Sequence, residues 1–115
     1  ASIDLLEAES ARQEAQDLRW SLFERDLSAP VLRDYLSRLP DFDDVEALDR
    51  AFAYALAHPD FEVALRFLMD WPAYREAASL VLARPSEARR LGPKALDWAS
   101  RLAQRFPEAA EVLAN

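Results

Sequence analysis

The stretch FEVALRFLMDW, residues 61–71, decides the predicted fold. At 100° per residue, its charged residues Glu62, Arg66 and Asp70 form one narrow stripe, and every other position is apolar. A helix at a protein surface has a single apolar stripe, whereas this segment has a single polar one. We therefore expect it to be the central, mostly buried helix of an all-α protein.

The composition of the whole chain agrees with a helical domain. The sequence has 115 residues, 51% of them hydrophobic, with one Gly and no Cys. This length is typical of one domain and allows a core without metals or disulfides. We predict a single helical-repeat domain over residues 1–115. Because the chain begins in helical sequence without an initiator Met, we expect it to be a segment of a longer protein.

Helix ends are predicted from prolines and capping residues. Prolines at positions 40, 59, 72, 85 and 107 divide the chain into about seven helices. The first is predicted over residues 2–26. Ser28 is the expected N-cap of the second, an Asp within 41–44 caps the third, and Asp60 caps the central helix.

Prolines also predict the boundaries of the later helices. Pro72 is expected early in the fifth helix, and a short helical turn is expected between Pro85 and Pro93. A seventh helix is predicted over 93–106, and Pro107 opens the last. Short links favour antiparallel packing, so we predict helical hairpins stacked as a short α-solenoid. The sequence has no clean repeat, and an irregular bundle stays open as the alternative.

Residues three or four positions apart, all apolar except Arg12, predict the inward faces of these helices. They are Leu5, Ala8, Arg12, Ala15, Leu18, Leu22 and Phe23 in the first helix; Val31, Leu32, Tyr35, Leu36 and Leu39 in the second; Val45, Leu48, Phe52, Ala55 and Leu56 in the third; Tyr74, Ala77, Ala78, Val81 and Leu82 in the fifth; and Leu96, Ala99, Leu102 and Phe106 in the seventh.

No catalytic, cofactor-binding or metal site is predicted. The acidic residues of segment 41–46 lack the central Gly of a calcium-binding loop, and helix capping explains them better. His58 is the only His and has no second ligand or nucleophile in the pattern, so we expect it to cap a helix end or to lie exposed. A single Gly excludes a phosphate-binding glycine loop. We therefore expect no enzyme and no cofactor.

One basic cluster is the predicted partner surface. It comprises Arg84, Arg89, Arg90 and Lys94, and we add Trp98, the Trp least clearly placed on an inward face. The alternative is a solvated loop, or pairing with the acidic N-terminal half.

Charge and hydropathy restrict the class of partner. The net charge is −7; residues 1–60 contain 14 acidic residues and 6 Arg, whereas residues 61–115 contain 7 acidic and 8 basic residues. An acidic surface disfavours nucleic acid. The sequence has no apolar run of about 20 residues and no signal peptide, so we expect no membrane association and a cytoplasmic location. The weak apolar stripe in the first half of helix one leaves a dimer through that helix open.

The chain contains the motifs LRW at 18–20, FER at 23–25, RLPDFDD at 38–44 and WP at 71–72, together with the apolar segments 65–68 and 77–82. Together these motifs resemble an uncharacterised family of bacterial proteins, a domain of unknown function. The chain departs from the pattern after residue 85, and family members are longer. The resemblance implies a helical-repeat fold and a bacterial source, and it brings no active-site residues.

The leading hypothesis is therefore a protein–protein interaction or scaffolding module with an unknown partner. The alternative is a non-catalytic regulatory or structural segment of a larger enzyme. Nucleic-acid binding through the more basic C-terminal half is ranked last because of the net charge.

Overall fold

In a computed structural model, the backbone is described for residues 2–40 and 42–114 and the side chains for residues 8–40 and 42–114. These residues form eight α-helices and one 3-10 helix and contain no β-strand, so the all-α prediction of about seven helices is confirmed. The elements are α1 (Ser2–Asp26), α2 (Ala29–Ser37), α3 (Asp43–Leu56), α4 (Phe61–Asp70), α5 (Tyr74–Ala83), α6 (Pro85–Arg90), the 3-10 helix (Gly92–Ala95), α7 (Leu96–Leu102) and α8 (Pro107–Ala114).

Two predicted N-caps are confirmed. The Ser28 hydroxyl accepts a hydrogen bond from the N–H of Val31 at 3.4 Å, and Asp60 Oδ1 accepts one from the N–H of Val63 at 3.2 Å. Each bond satisfies an amide that the first turn of a helix leaves without a backbone partner. These two short side chains therefore fix where α2 and α4 begin.

The chain divides into two compact units, Ala1–Asp49 (unit 1) and Arg50–Asn115 (unit 2), and α3 contributes to both. Each unit is described by itself. The prediction of one domain over residues 1–115 stays a prediction.

In unit 1, α1 packs on α2. The Trp20 ring centroid lies 5.2 Å from that of Phe23 and 5.3 Å from that of Tyr35, and Gln16 donates to the Tyr35 carbonyl at 3.1 Å. Phe23 is fully buried. The face of α1 toward α2 thus carries a polar residue as well as aromatic ones. Leu18, which the sequence placed inward, lies off this face and is largely exposed, so that prediction was wrong.

In unit 2, α4 is the buried helix that the sequence predicted. Its buried residues are Phe61, Ala64, Leu65, Phe67, Leu68 and Met69. On its polar stripe, Arg66 pairs with Glu62 at 2.8 Å, one helical turn apart. Burying this many apolar side chains is the main source of stability available to a unit of this size.

Helix α8 closes unit 2 into an irregular bundle. It contacts α5 and α6 as well as the adjacent α7 and the 3-10 helix. Ala109, Ala110 and Leu113 are its buried residues. A helix in a simple solenoid contacts only neighbouring repeats, so these contacts favour the bundle alternative in this unit.

Four more inward assignments were wrong, because Arg12, Val45, Leu82 and Leu96 are exposed. In α3 and around α7 the buried stripes are built mainly from alanines, which allow close approach of neighbouring backbones. The buried residues there are Ala47, Ala51, Ala55, Ala95, Ala99 and Leu102. The larger side chains were favoured in the sequence-based prediction, and the inward faces predicted for α3 and α7 therefore differ from the faces that are buried.

Some boundaries also differ from the predictions. Pro72 precedes α5, which begins at Tyr74, and the predicted helix over 93–106 is a 3-10 helix followed by the shorter α7. The expected helical turn after Pro85 is present as α6. The inward role predicted for Leu5 and the capping role considered for Asp41 lie outside the described side chains.

Candidate functional site

The predicted basic surface begins with Arg84, which is held within the fold of unit 2. Its guanidinium donates to the carbonyls of His58 at 2.6 Å and Pro59 at 3.0 Å, pairs with Glu87, and lies 5.4 Å from the centroid of the Phe61 ring. With its donors used in this way, Arg84 connects the α3–α4 link to the start of α6. The arrangement is structural and leaves little of this cation for a partner.

Arg90 lines a shallow groove beside α4 and α6, and Lys94 pairs with Glu62, another residue of its lining. The Lys94 ammonium is 3.5 Å from a carboxylate oxygen of Glu62. The groove has a volume of about 490 Å³ and is lined by Pro59, Asp60, Phe61, Glu62, Glu87, Arg90 and Leu91. Its lining holds three carboxylates and one guanidinium, which weakens its attraction for an acidic partner.

Arg89 and Trp98 do not line this groove. Arg89 is exposed and Trp98 is half-buried on α7. Among the residues that the structure describes, neither Arg89 nor Arg90 makes an ion pair. Of the five predicted partner-surface residues, the structure thus gathers Arg84, Arg90 and Lys94 around Glu62 and Glu87, and the role of the surface stays a prediction.

A second surface, which the sequence interpretation missed, lies in unit 1 where α2 ends and α3 begins. We call it the Phe42 groove. It has a volume of about 510 Å³ and is lined by Leu36, Ser37, Leu39, Pro40, Phe42, Asp44 and Val45. Phe42 is 84% exposed and Val45 is 60% exposed. Five of the seven lining residues that the structure describes are apolar, a composition typical of binding grooves.

The backbone at Phe42 is in the left-handed region, with φ of 73°. This conformation is rare for a bulky residue and costs on the order of 1–3 kcal/mol. Two backbone hydrogen bonds flank the position: the N–H of Asp43 donates to the Pro40 carbonyl at 3.1 Å, and the N–H of Val45 donates to the Phe42 carbonyl at 3.3 Å. The turn therefore holds the Phe42 ring in solvent.

Acidic residues adjoin this groove. Asp43, Asp44 and Glu46 lie in the first turn of α3 and are exposed. Among the side chains of residues 8–40 and 42–114, none forms an ion pair with them. Favourable interaction with the helix N-terminus explains part of this charge, but three full charges exceed the roughly half charge of the helix end.

Arg38 does not neutralise these acids, because it pairs with Asp34 at 3.0 Å. Asp34 also accepts a hydrogen bond from Arg19 of α1 at 2.9 Å. The hydrogen bond from Arg38, and then the interactions with Arg19, lower the pKa of Asp34. Arg38 is thus already engaged with an acidic residue of its own helix.

The described residues offer few features of a reactive centre. They contain no group of three or more His, Cys, Asp or Glu side chains arranged to hold a metal ion. His58 Nδ1 accepts a hydrogen bond from the N–H of Asp60 at 3.0 Å, and its ring packs against that of Tyr54 at 6.0 Å. His58 therefore supports the α3–α4 link by accepting an N–H within it, which differs from the expected capping of carbonyls at a helix end. None of the described helices has the length and apolar character that a membrane span requires.

A model of a protein family matches the whole chain. The chain belongs to a family of unknown function, DUF6880, and the match covers residues 1–115. No curated protein and no solved structure matches the chain.

Proposed function

We propose that this member of the family is a non-catalytic protein-binding module of the bacterial cytoplasm and that the Phe42 groove is its docking surface. The observation that carries the proposal is Phe42 itself. A large aromatic ring is held in solvent by a backbone conformation that disfavours a bulky side chain. Folding gains almost nothing from the burial of this ring, whereas a partner that covered it would gain a large apolar contact.

The surroundings of Phe42 support the same function. Exposed Val45 and half-buried Leu36 and Leu39 extend the apolar area next to the ring. Contiguous exposed apolar surface on a small protein commonly marks an interaction site. The groove lies on helix ends, so a partner can cover it without disturbing the packing of α1 on α2.

The basic surface is the weaker alternative. Its exposed cations, Arg89 and Arg90, lie near a groove whose carboxylates oppose an acidic partner. A substitution pair tests it directly: Arg89→Ala with Arg90→Ala would abolish partner binding if this surface were the docking site, and would leave binding unchanged if the Phe42 groove were.

Site-specific photo-crosslinking tests the proposal in cells. A photoreactive phenylalanine analogue replaces Phe42 in one variant and Leu96 in a control, because Leu96 is also a large apolar side chain exposed at the surface. We expect one defined adduct at position 42 that is absent at position 96. The purified partner should then bind the Phe42→Ala variant roughly 30-fold more weakly, the loss of about 2 kcal/mol that a central aromatic contact typically contributes.

Two results would contradict the proposal. Equal adduct yields at both positions would indicate non-specific proximity. Unchanged affinity of the purified partner for Phe42→Ala would show that the ring contributes nothing to binding. Because Phe42 is mostly exposed, the variant should fold normally, and circular dichroism of the variant checks this.

A further inference from the structure

We infer that the Phe42 groove binds a basic segment of a partner protein, one that places an apolar side chain against Phe42 and Lys or Arg side chains beside the start of α3. This inference rests on the proposed function and specifies the chemistry of the partner. The apolar part of the partner follows from the lining of the groove, in which Leu36, Leu39 and Val45 flank the Phe42 ring.

The basic part of the partner follows from charge complementarity. Asp43, Asp44 and Glu46 adjoin the apolar lining and have no ion-pair partner in the described part of the chain. Asp44 itself lines the groove. Potentials of opposite sign across an interface accelerate association and exclude partners of the wrong sign.

The helix termini at the groove do not reverse this potential. The C-terminal end of α2 carries a partial negative charge, and its last turn has no basic residue. The N-terminal end of α3 contributes about half a positive charge, which its three first-turn acids outweigh. Arg38, the basic residue just beyond the end of α2, is paired with Asp34.

Other occupants are disfavoured by the same charges. In a symmetric dimer formed through this groove, each copy would present the same surface, so two acidic clusters, each of Asp43, Asp44 and Glu46, would lie in one interface. Nucleic acid would meet carboxylates beside its phosphates. A basic protein segment avoids both repulsions.

The experiment selects ligands from a random 12-residue peptide display library on the wild-type chain, with counter-selection on the Phe42→Ala variant. We expect the selected peptides to share an apolar residue and a net positive charge. Their affinity should fall about tenfold or more between low and high salt, because the attraction is between exposed charges.

A charge-matched pair of variants tests the acidic residues. The triple variant Asp43→Asn, Asp44→Asn, Glu46→Gln should bind the selected peptides about tenfold more weakly. The control triple variant Glu9→Gln, Glu14→Gln, Glu111→Gln changes the net charge equally at exposed positions elsewhere and should bind like the wild type. If removing the first-turn acids destabilises α3, the salt dependence of the wild type still decides the question.

The outcomes separate the two proposals. Peptides that are apolar but uncharged, bind independently of salt and still require Phe42 would overturn the basic partner while retaining the docking surface. Selected peptides that bind Phe42→Ala as tightly as the wild type would overturn the docking surface itself. Self-association that depends on Phe42, seen by sedimentation at increasing concentration, would assign the groove to a second copy and overturn the inference.

Discussion

Leu27 and Phe42 share a backbone conformation but differ in what surrounds their side chains. They are the non-glycine residues with positive φ among those described, at 48° and 73°. An L-residue pays about 1–2 kcal/mol in this region because its Cβ crowds the backbone. Leu27, in the α1–α2 link, is 4% exposed and its N–H donates to the Phe23 carbonyl at 2.6 Å. Phe42, in the α2–α3 link, stays in solvent.

The difference separates a folding role from a binding role. At Leu27, burial of the side chain offsets the unfavourable backbone, so the conformation serves the packing of unit 1. At Phe42, no comparable burial offsets it. Unfavourable backbone conformations that packing does not explain occur preferentially at functional sites, and this supports the assignment of Phe42 to recognition.

Truncation of the two side chains should give the largest difference in the free energy of unfolding between the two positions. Leu27→Ala should lower the free energy of unfolding by about 2–4 kcal/mol, because it removes a buried side chain and keeps the left-handed backbone. Phe42→Ala should change it by no more than about 0.5 kcal/mol. Urea unfolding followed by circular dichroism measures both, and equal losses at the two positions would erase the contrast.

Glycine substitutions isolate the backbone contribution. Phe42→Gly should be more stable than Phe42→Ala by about 1 kcal/mol, because Gly adopts positive φ without a clash. Leu27→Gly should likewise have a higher free energy of unfolding than Leu27→Ala by about the same amount, although both variants lose the buried side chain. The same unfolding measurement applies, and a Gly variant no more stable than its Ala counterpart would show that φ at that position carries no strain. We expect Phe42→Gly to gain stability over Phe42→Ala without regaining partner binding.

The smallest expected effect concerns Asp34, which, like Leu27, contributes to the stability of unit 1. Its pairing with Arg38 and Arg19 lowers its pKa in the folded state relative to the unfolded state. The ionised form therefore stabilises unit 1 at pH values above the unfolded pKa of about 4. This contribution should disappear as the pH falls through the lower folded pKa.

Urea midpoints of the wild type and Asp34→Asn at several pH values measure this contribution. The wild type should be slightly more stable at neutral pH, and the difference should vanish in acid. Asp34 is an exposed residue, so the effect should be small and should weaken with salt. A difference that stayed constant down to acidic pH would assign the effect to packing instead.

The sequence was sufficient to predict where most helices lie in the chain, but it was insufficient to predict which face of each helix is buried. Ser28 and Asp60 are local capping signals, and the continuous apolar character of 61–71 leaves few alternatives to a buried helix. The inward faces depend on which neighbour approaches most closely. Where alanine stripes allow that approach, larger residues such as Val45 and Leu96 turn outward.

The Phe42 groove was beyond what the pattern alone could predict. A Phe between acidic residues after Pro40 was visible, and it was interpreted only as part of a capping segment. What makes it a candidate site is the positive φ that holds the ring outside the turn. That angle depends on how α2 and α3 are joined in three dimensions, and the residues of the turn do not require it, since neither Gly nor Asn is present.

Arg84 has a consequence for the motions of unit 2. Its hydrogen bonds to the carbonyls of His58 and Pro59 join two points that are 26 and 25 residues away in sequence. The chain between these points comprises α4 and α5, which also contact each other. Hydrogen bonds to one guanidinium thus connect both ends of this helix pair. We therefore expect the backbone amides of α4 and α5 to exchange with deuterium in one cooperative opening. In Arg84→Lys, which lacks the planar fork of the guanidinium, we expect α4 and α5 to open separately.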